Sequence, residues 1–112
     1  MSVVFTYSEA KADFLDYSRH LKEDQWKALN WLSQFDDSEL SERERLNVLL
    51  TAAKWETDHG VVHDPIKDEL YLYYEQFANG ELDSVIEPEE RETVVHDLTE
   101  CFNKVFPEGL ID

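Results

Sequence analysis

Over 112 residues, 26 Asp and Glu face 10 Lys and Arg, a formal net charge of -16, where solubility of a small domain asks for a magnitude of only about 2 to 8. Such a charge argues against direct binding to nucleic acid or to an anionic membrane surface, because phosphates are repelled. With 42% hydrophobic residues, including three Trp, five Tyr and six Phe, the chain can bury a core and is not a disordered acidic tail.

Thr6 and Glu9 have capping-box spacing, and Ala10, Phe14, Tyr17 and Leu21 recur at three- and four-residue intervals, which predicts a helix over residues 7–21. Asp24 can cap a second segment with Ala28, Leu32 and Phe35 on its apolar face and Trp31 beside them. The pattern does not decide whether these two segments form one helix or two. Ser41 and Glu44 make another capping box, opening a helix that runs to His59 and ends at Gly60. Leu46, Leu49, Leu50 and Ala53 lie on one side of it, with Val48, Ala52 and Trp55 on another, so it is expected at the centre of the fold.

Asp64 and Pro65 read as N-cap and first helical position, followed by a stripe of Ile66, Leu70, Tyr73, Tyr74 and Phe77 that stops near Asn79-Gly80. The run Leu70 to Tyr74 also suits a strand, but the end signals favour a helix. Pro88 opens a last helix in which Val94, Val95, Leu98, Cys101, Phe102 and Val105 share one face, while Glu89, Glu92, His96 and Glu100 line the other. Pro107 and Gly109 end it. The expected fold is all-α, a compact bundle of four to five helices in one domain over residues 1–112. Cys101 has no second cysteine to pair with, and it is expected to be buried and unreactive. No run approaches the roughly 20 apolar residues of a membrane span and no secretory signal is visible, so the cytoplasm is the expected compartment.

The charge is uneven. Glu9, Asp13, Asp16, Glu23 and Asp24 are nearly balanced by Lys11, Arg19, Lys22 and Lys27 in residues 1–35, so almost the whole net charge belongs to residues 36–112. The expected radius of gyration, roughly 13 Å, corresponds to a sphere about 34 Å across. A charge of -16 equals that of about 27 Å of duplex DNA at one charge per roughly 1.7 Å. This supports a small acidic binding protein that inhibits or neutralises a basic, nucleic-acid-handling partner such as a nuclease, in the manner of a DNA mimic, a phage anti-defence protein or an immunity protein. One helix is too sparse for that: Glu89, Glu92 and Glu100 give about one charge per 5 Å of axis at roughly 1.5 Å per residue. Asp36, Asp37, Glu39, Glu42, Glu44, Glu81, Asp83, Glu87 and Glu90 are the further candidates, and they must gather on one face. Near helix starts, such carboxylates also favour the helix dipole. Trp26, Trp31, Tyr71 and Leu72 fall off the main stripes and are candidate anchors or further core.

A competing site lies in the segment holding Glu56, Asp58, His59, His63 and Asp64, residue types that ligate zinc, iron or manganese and can serve a metal-dependent enzyme. Gly60 and Pro65 break the helix that the His59/His63 spacing requires, so the structural expectation is a helix-end charge at His59, a cap at Asp64 and no cofactor. The Glu39/Glu42 and Glu89/Glu92 pairs lack a matching downstream ExxD and arise by chance in so acidic a chain. His96 lies among Glu89, Glu92 and Glu100, where carboxylates would favour its protonated form, but a plain solvated histidine is the expected reading. A third reading is an acidic assembly chaperone or scaffold, in which the acids serve solubility alone and are spread evenly.

Overall fold

The computed structural model describes residues 5–22, 26–35 and 37–110. Five α-helices follow one another, α1 (Tyr7–Ser18), α2 (Lys27–Leu32), α3 (Glu42–His59), α4 (Asp64–Ala78) and α5 (Arg91–Val105), with no strand among the described residues. The expected all-α bundle is therefore the fold.

Both capping boxes are complete: the Thr6 and Ser41 hydroxyls accept from the backbone N–H of Glu9 and Glu44, whose carboxylates accept in return from the cap N–H. The first helix ends three residues before the expected Leu21, where the chain leaves through turns closed by His20 N–H to Tyr17 C=O and Leu21 N–H to Ser18 C=O. α2 starts after Trp26 without a side-chain cap, and the expected cap Asp24 lies outside the described residues. Gly60 takes the left-handed conformation that ends α3, at φ 78°.

α4 starts one residue earlier than the sequence suggests. His63 rather than Asp64 is the N-cap, because the Glu56 carboxylate accepts the His63 N–H and fixes the extended backbone there. Pro88 opens a 3₁₀ turn, Pro88–Glu90, that leads into α5.

α3 packs against each of the other four helices, which explains why its apolar residues occupy two sides. Leu46, Val48, Leu49, Leu50, Ala52 and Ala53 are all buried. The core extends outward through edge-on rings, Phe14 against Trp31 and Trp55 and Trp31 against Phe35, and through Tyr74 stacked on Phe102 at 3.9 Å. Trp31 is fully buried and its indole N–H donates to Asp13, so it is core and not an exposed anchor.

Side-chain contacts fix the directions. Asn47 donates to the Phe5 carbonyl while Phe14 meets Trp55, so α1 runs parallel to α3. Arg43 reaches Glu87, just before α5, while Lys54 reaches Glu100 and Thr57 meets Cys101, so α5 runs parallel to α3 as well. α2 and α4 run back between them: Phe35 packs on Phe5 at the start of α1, and Trp26 packs on His63 at the end where α3 stops. The N-termini of α1, α3 and α5 therefore share one end of the bundle with the C-termini of α2 and α4.

Candidate functional site

Carboxylates from three chain segments meet at that shared end, while exposed Asp13, Asp16, Asp58, Asp64, Asp68, Glu69 and Glu108 lie elsewhere on the bundle. Glu39 and Glu42 precede and open α3; Glu81 and Asp83 lie in the connection after α4; Glu87, Glu89, Glu90 and Glu92 lead into α5. Two ties hold these segments together. Arg43 donates from Nε to the Val85 carbonyl and from Nη1 to Glu87, both at 2.7 Å, joining the start of α3 to the 79–90 connection. Glu90 accepts from the Tyr7 N–H at 2.6 Å, the Ser8 N–H at 2.9 Å and the Ser8 hydroxyl at 2.7 Å, joining that connection to the start of α1.

The candidate residues divide by what they already hold. Glu44 was expected at the partner surface but is only 2% exposed, since its capping-box role turns the carboxylate back onto Ser41. Glu90 is likewise turned inward as a second cap on α1. Burial works against its ionisation, but the Ser8 hydroxyl, the Ser8 and Tyr7 amides and the Lys11 charge prevail and hold its pKa below the ordinary value. Glu100 is not at this end; it forms a separate cluster with Lys54, Lys104 and His96 partway along α5, and the Lys104 hydrogen bond together with the Lys54 charge lowers its pKa. Asp36 lies outside the described residues, and Asp37 begins the 3₁₀ turn Asp37–Glu39.

Glu39, Glu42, Glu81, Asp83, Glu89 and Glu92 remain exposed at the shared end, with Asp83 paired to Arg91 at 2.9 Å and Glu87 half-buried beside them. Crowding of like charge is visible in Glu87, whose pKa is raised by a hydrogen bond to Glu89 and by a small burial effect, against the pull of Arg43. Other acids are distributed elsewhere: Asp58 and Asp64 lie at the opposite end, and Asp58 pairs with Lys54 and Lys104.

The histidine segment does not converge. His59 turns back along α3, its ring stacked on Trp55 at 3.8 Å and Nδ1 2.8 Å from the Trp55 carbonyl. His63 points the other way, to the fully buried Glu56, whose Oε2 lies 2.6 Å from Nδ1, with Trp26 packed on the ring. Asp58 is taken by the lysines, and no group of three or more His, Cys, Asp or Glu among the described residues is placed to hold a metal ion. His96 meets Glu100 at 3.0 Å, the one carboxylate of its expected set that it pairs with. Cys101 is buried against Thr57, and burial raises its pKa.

Asp97 is a buried carboxylate that the sequence did not single out, and Glu56, expected only in the histidine segment, is fully buried. Asp97 accepts from the Tyr7 hydroxyl at 2.7 Å and pairs with Lys11 at 3.4 Å. The signal for it was present: Asp97 lies three residues after Val94 and four before Cys101, on the apolar side of α5. No protein-family model matches the chain, and comparison with curated proteins and with solved structures finds no match.

Proposed function

We propose that this protein binds a basic, nucleic-acid-handling partner through the acidic end of the bundle and blocks the cationic surface on which that partner would hold nucleic acid. The observation that carries this reading is the parallel course of α1, α3 and α5, which brings exposed carboxylates from three chain segments to one end. Helix dipoles do not absorb that charge. Three N-termini supply roughly half a positive charge each; Glu9 and Glu90 cap α1 and Glu44 caps α3, while α5 starts without a side-chain cap. Arg43 and Arg91 are paired with Glu87 and Asp83, which leaves Glu39, Glu42, Glu81, Glu89 and Glu92 in surplus.

The bundle measures 39 × 33 × 24 Å, and its whole net charge of -16 equals that of about 27 Å of duplex, of which the acidic end carries a part. A scaffold whose acids serve only solubility would pair or scatter them, and the five acids at one end left without a basic partner among the described residues are what support the inhibitor reading over it.

Capture from the native host at low and high salt tests the proposal. Binding through these carboxylates weakens steeply as salt rises. The triple variant Glu42→Gln, Glu89→Gln, Glu92→Gln should lose the partner while Glu100→Gln keeps it. Capture that is unchanged by salt and by the triple variant would refute the mechanism.

A further inference from the structure

A groove of about 450 Å³ runs between α2, α3 and α4, within the roughly 300–1,000 Å³ of ligand-sized sites. Leu29, Leu32, Phe35, Leu40, Leu49 and Tyr73 make its apolar floor and walls, and Asp68 and Glu69 stand on its rim. A second recess, lined by Leu72, Leu82 and Glu42 among others, shares Arg45, Glu69 and Tyr73 with it, so the two are continuous. Leu72, at 48% exposed, is a large apolar side chain that the core does not use. At the junction, the Arg45 Nε–H is buried with no acceptor.

We infer that this groove receives an amphipathic basic segment of the partner, its apolar side chains in the α2–α3–α4 groove and its lysines or arginines against Asp68, Glu69 and Glu42. The inference rests on the reading of the chain as a binder of a basic protein, and it names where the affinity of that complex is made. Electrostatic attraction speeds encounter, whereas affinity usually centres on apolar anchors in pockets. This groove supplies apolar side chains next to the acidic end, since Glu42 belongs to both. Charge complementarity selects the occupant. Arg45 is the groove's one cation, the rim charges are carboxylates, and a second copy of a chain with net charge -16 would be repelled. A helix with anchors at i, i+3, i+4 and i+7 suits an elongated apolar groove.

The test uses the full chain and a synthetic helical peptide of about 18 residues, leucine at i, i+3, i+4 and i+7 and lysine on its other face, with a lysine peptide of equal charge and no leucine as comparison. Titration of the ¹⁵N-labelled protein should shift amides of Leu29, Leu32, Leu40 and Leu72. Leu32→Gln with Leu72→Gln, which leaves charge unchanged, should weaken the leucine peptide at least tenfold at high salt and the lysine peptide not at all. Leu72→Gln alone, at an exposed position, should weaken it severalfold without disturbing the fold. If both peptides bind with equal affinity, respond to Glu89→Gln with Glu92→Gln and ignore the leucine variants, the acidic end stands and the groove assignment falls. If neither peptide binds at low salt, both fall. Displacement of the leucine peptide by an uncharged apolar small molecule of comparable affinity would make the groove a ligand pocket and overturn the inference.

Discussion

Replacing His63 by alanine leaves a buried carboxylate half-partnered. Glu56 is 0% exposed; its Oε1 accepts the His63 N–H at 2.9 Å and its Oε2 lies 2.6 Å from the His63 Nδ1. Alanine keeps the first bond and removes the second. Losing a hydrogen bond to a carboxylate costs about 1.5–3 kcal/mol. The His63 side chain is 18% exposed, so water reaches the gap and the expected loss is about 2 kcal/mol. That is between about an eighth and two-fifths of the roughly 5–15 kcal/mol that holds a small domain together. Urea unfolding followed by circular dichroism measures it, with Trp26 fluorescence as a local report because that ring packs on His63. Glu56→Gln in the His63→Ala background removes the orphaned charge and should restore part of the loss. A His63→Ala cost under about 1 kcal/mol, or a double variant no more stable than the single one, refutes the account of this pair.

Tyr7→Phe should cost about 1.5–3 kcal/mol, the value of a hydrogen bond to a charged group, because the Tyr7 hydroxyl donates to buried Asp97. Burial and that hydrogen bond raise the Tyr7 pKa above its ordinary 10.0, so the contribution is full below pH 10 and is lost at higher pH; thermal melts of the variant should lack that alkaline slope. Glu90→Ala removes three hydrogen bonds from the start of α1 and should cost about 2 kcal/mol. Since the Glu90 pKa is lowered from 4.5, its contribution is present above that value and disappears as pH falls through the folded-state pKa, and the variant should show a flatter acid limb in urea unfolding. Gly60→Ala meets nothing within 4 Å, so the expected loss of about 1–2 kcal/mol is purely conformational, from a φ of 78°; Gly60→Asn should recover some of it in the same melts. Arg43→Gln makes the chain more negative by one charge yet releases Val85 and Glu87. If placement matters, the leucine–lysine peptide binds it more weakly, and tighter binding would mean that bulk charge alone drives association.

The helices were legible because their ends are written in local chemistry. Thr6/Glu9 and Ser41/Glu44 cap as their spacing dictates, Gly60 closes α3, and the apolar stripe of α5 faces inward at Val94, Leu98, Cys101 and Phe102. What failed was non-local. The N-cap of α4 moved to His63 because a carboxylate seven residues earlier captures that amide, and no spacing rule for caps contains such a partner. Glu44 and Glu90 entered the list of surface acids because charge was counted without asking which groups a helix start would draw inward. Glu100 was grouped with Glu89 and Glu92 by its place on the helical wheel, but the lysines that surround it come from α3 and from the last turn of α5. Trp31 reads ambiguously beside an apolar stripe and is settled only by the neighbouring Phe14 and Asp13 of α1.

The internal ties also answer how so acidic an end holds together. Two carboxylates at roughly 7 Å in water repel by about 0.6 kcal/mol, so a handful of exposed acids at one end costs a few kcal/mol before screening by salt. Against this stand the Glu90 cap on α1, whose hydrogen bonds to a charged group are worth about 1.5–3 kcal/mol, and the part-exposed Arg43 bridge to Val85 and Glu87. Three positive helix ends point the same way and lower the repulsion further. The end is therefore tied internally but not neutralised. In the complex proposed above, a basic partner would gain the relief of that repulsion as well as direct attraction. The same carboxylates scattered over the surface would have less repulsion to relieve, and the parallel N-termini are what bring part of the net charge to one end of the bundle.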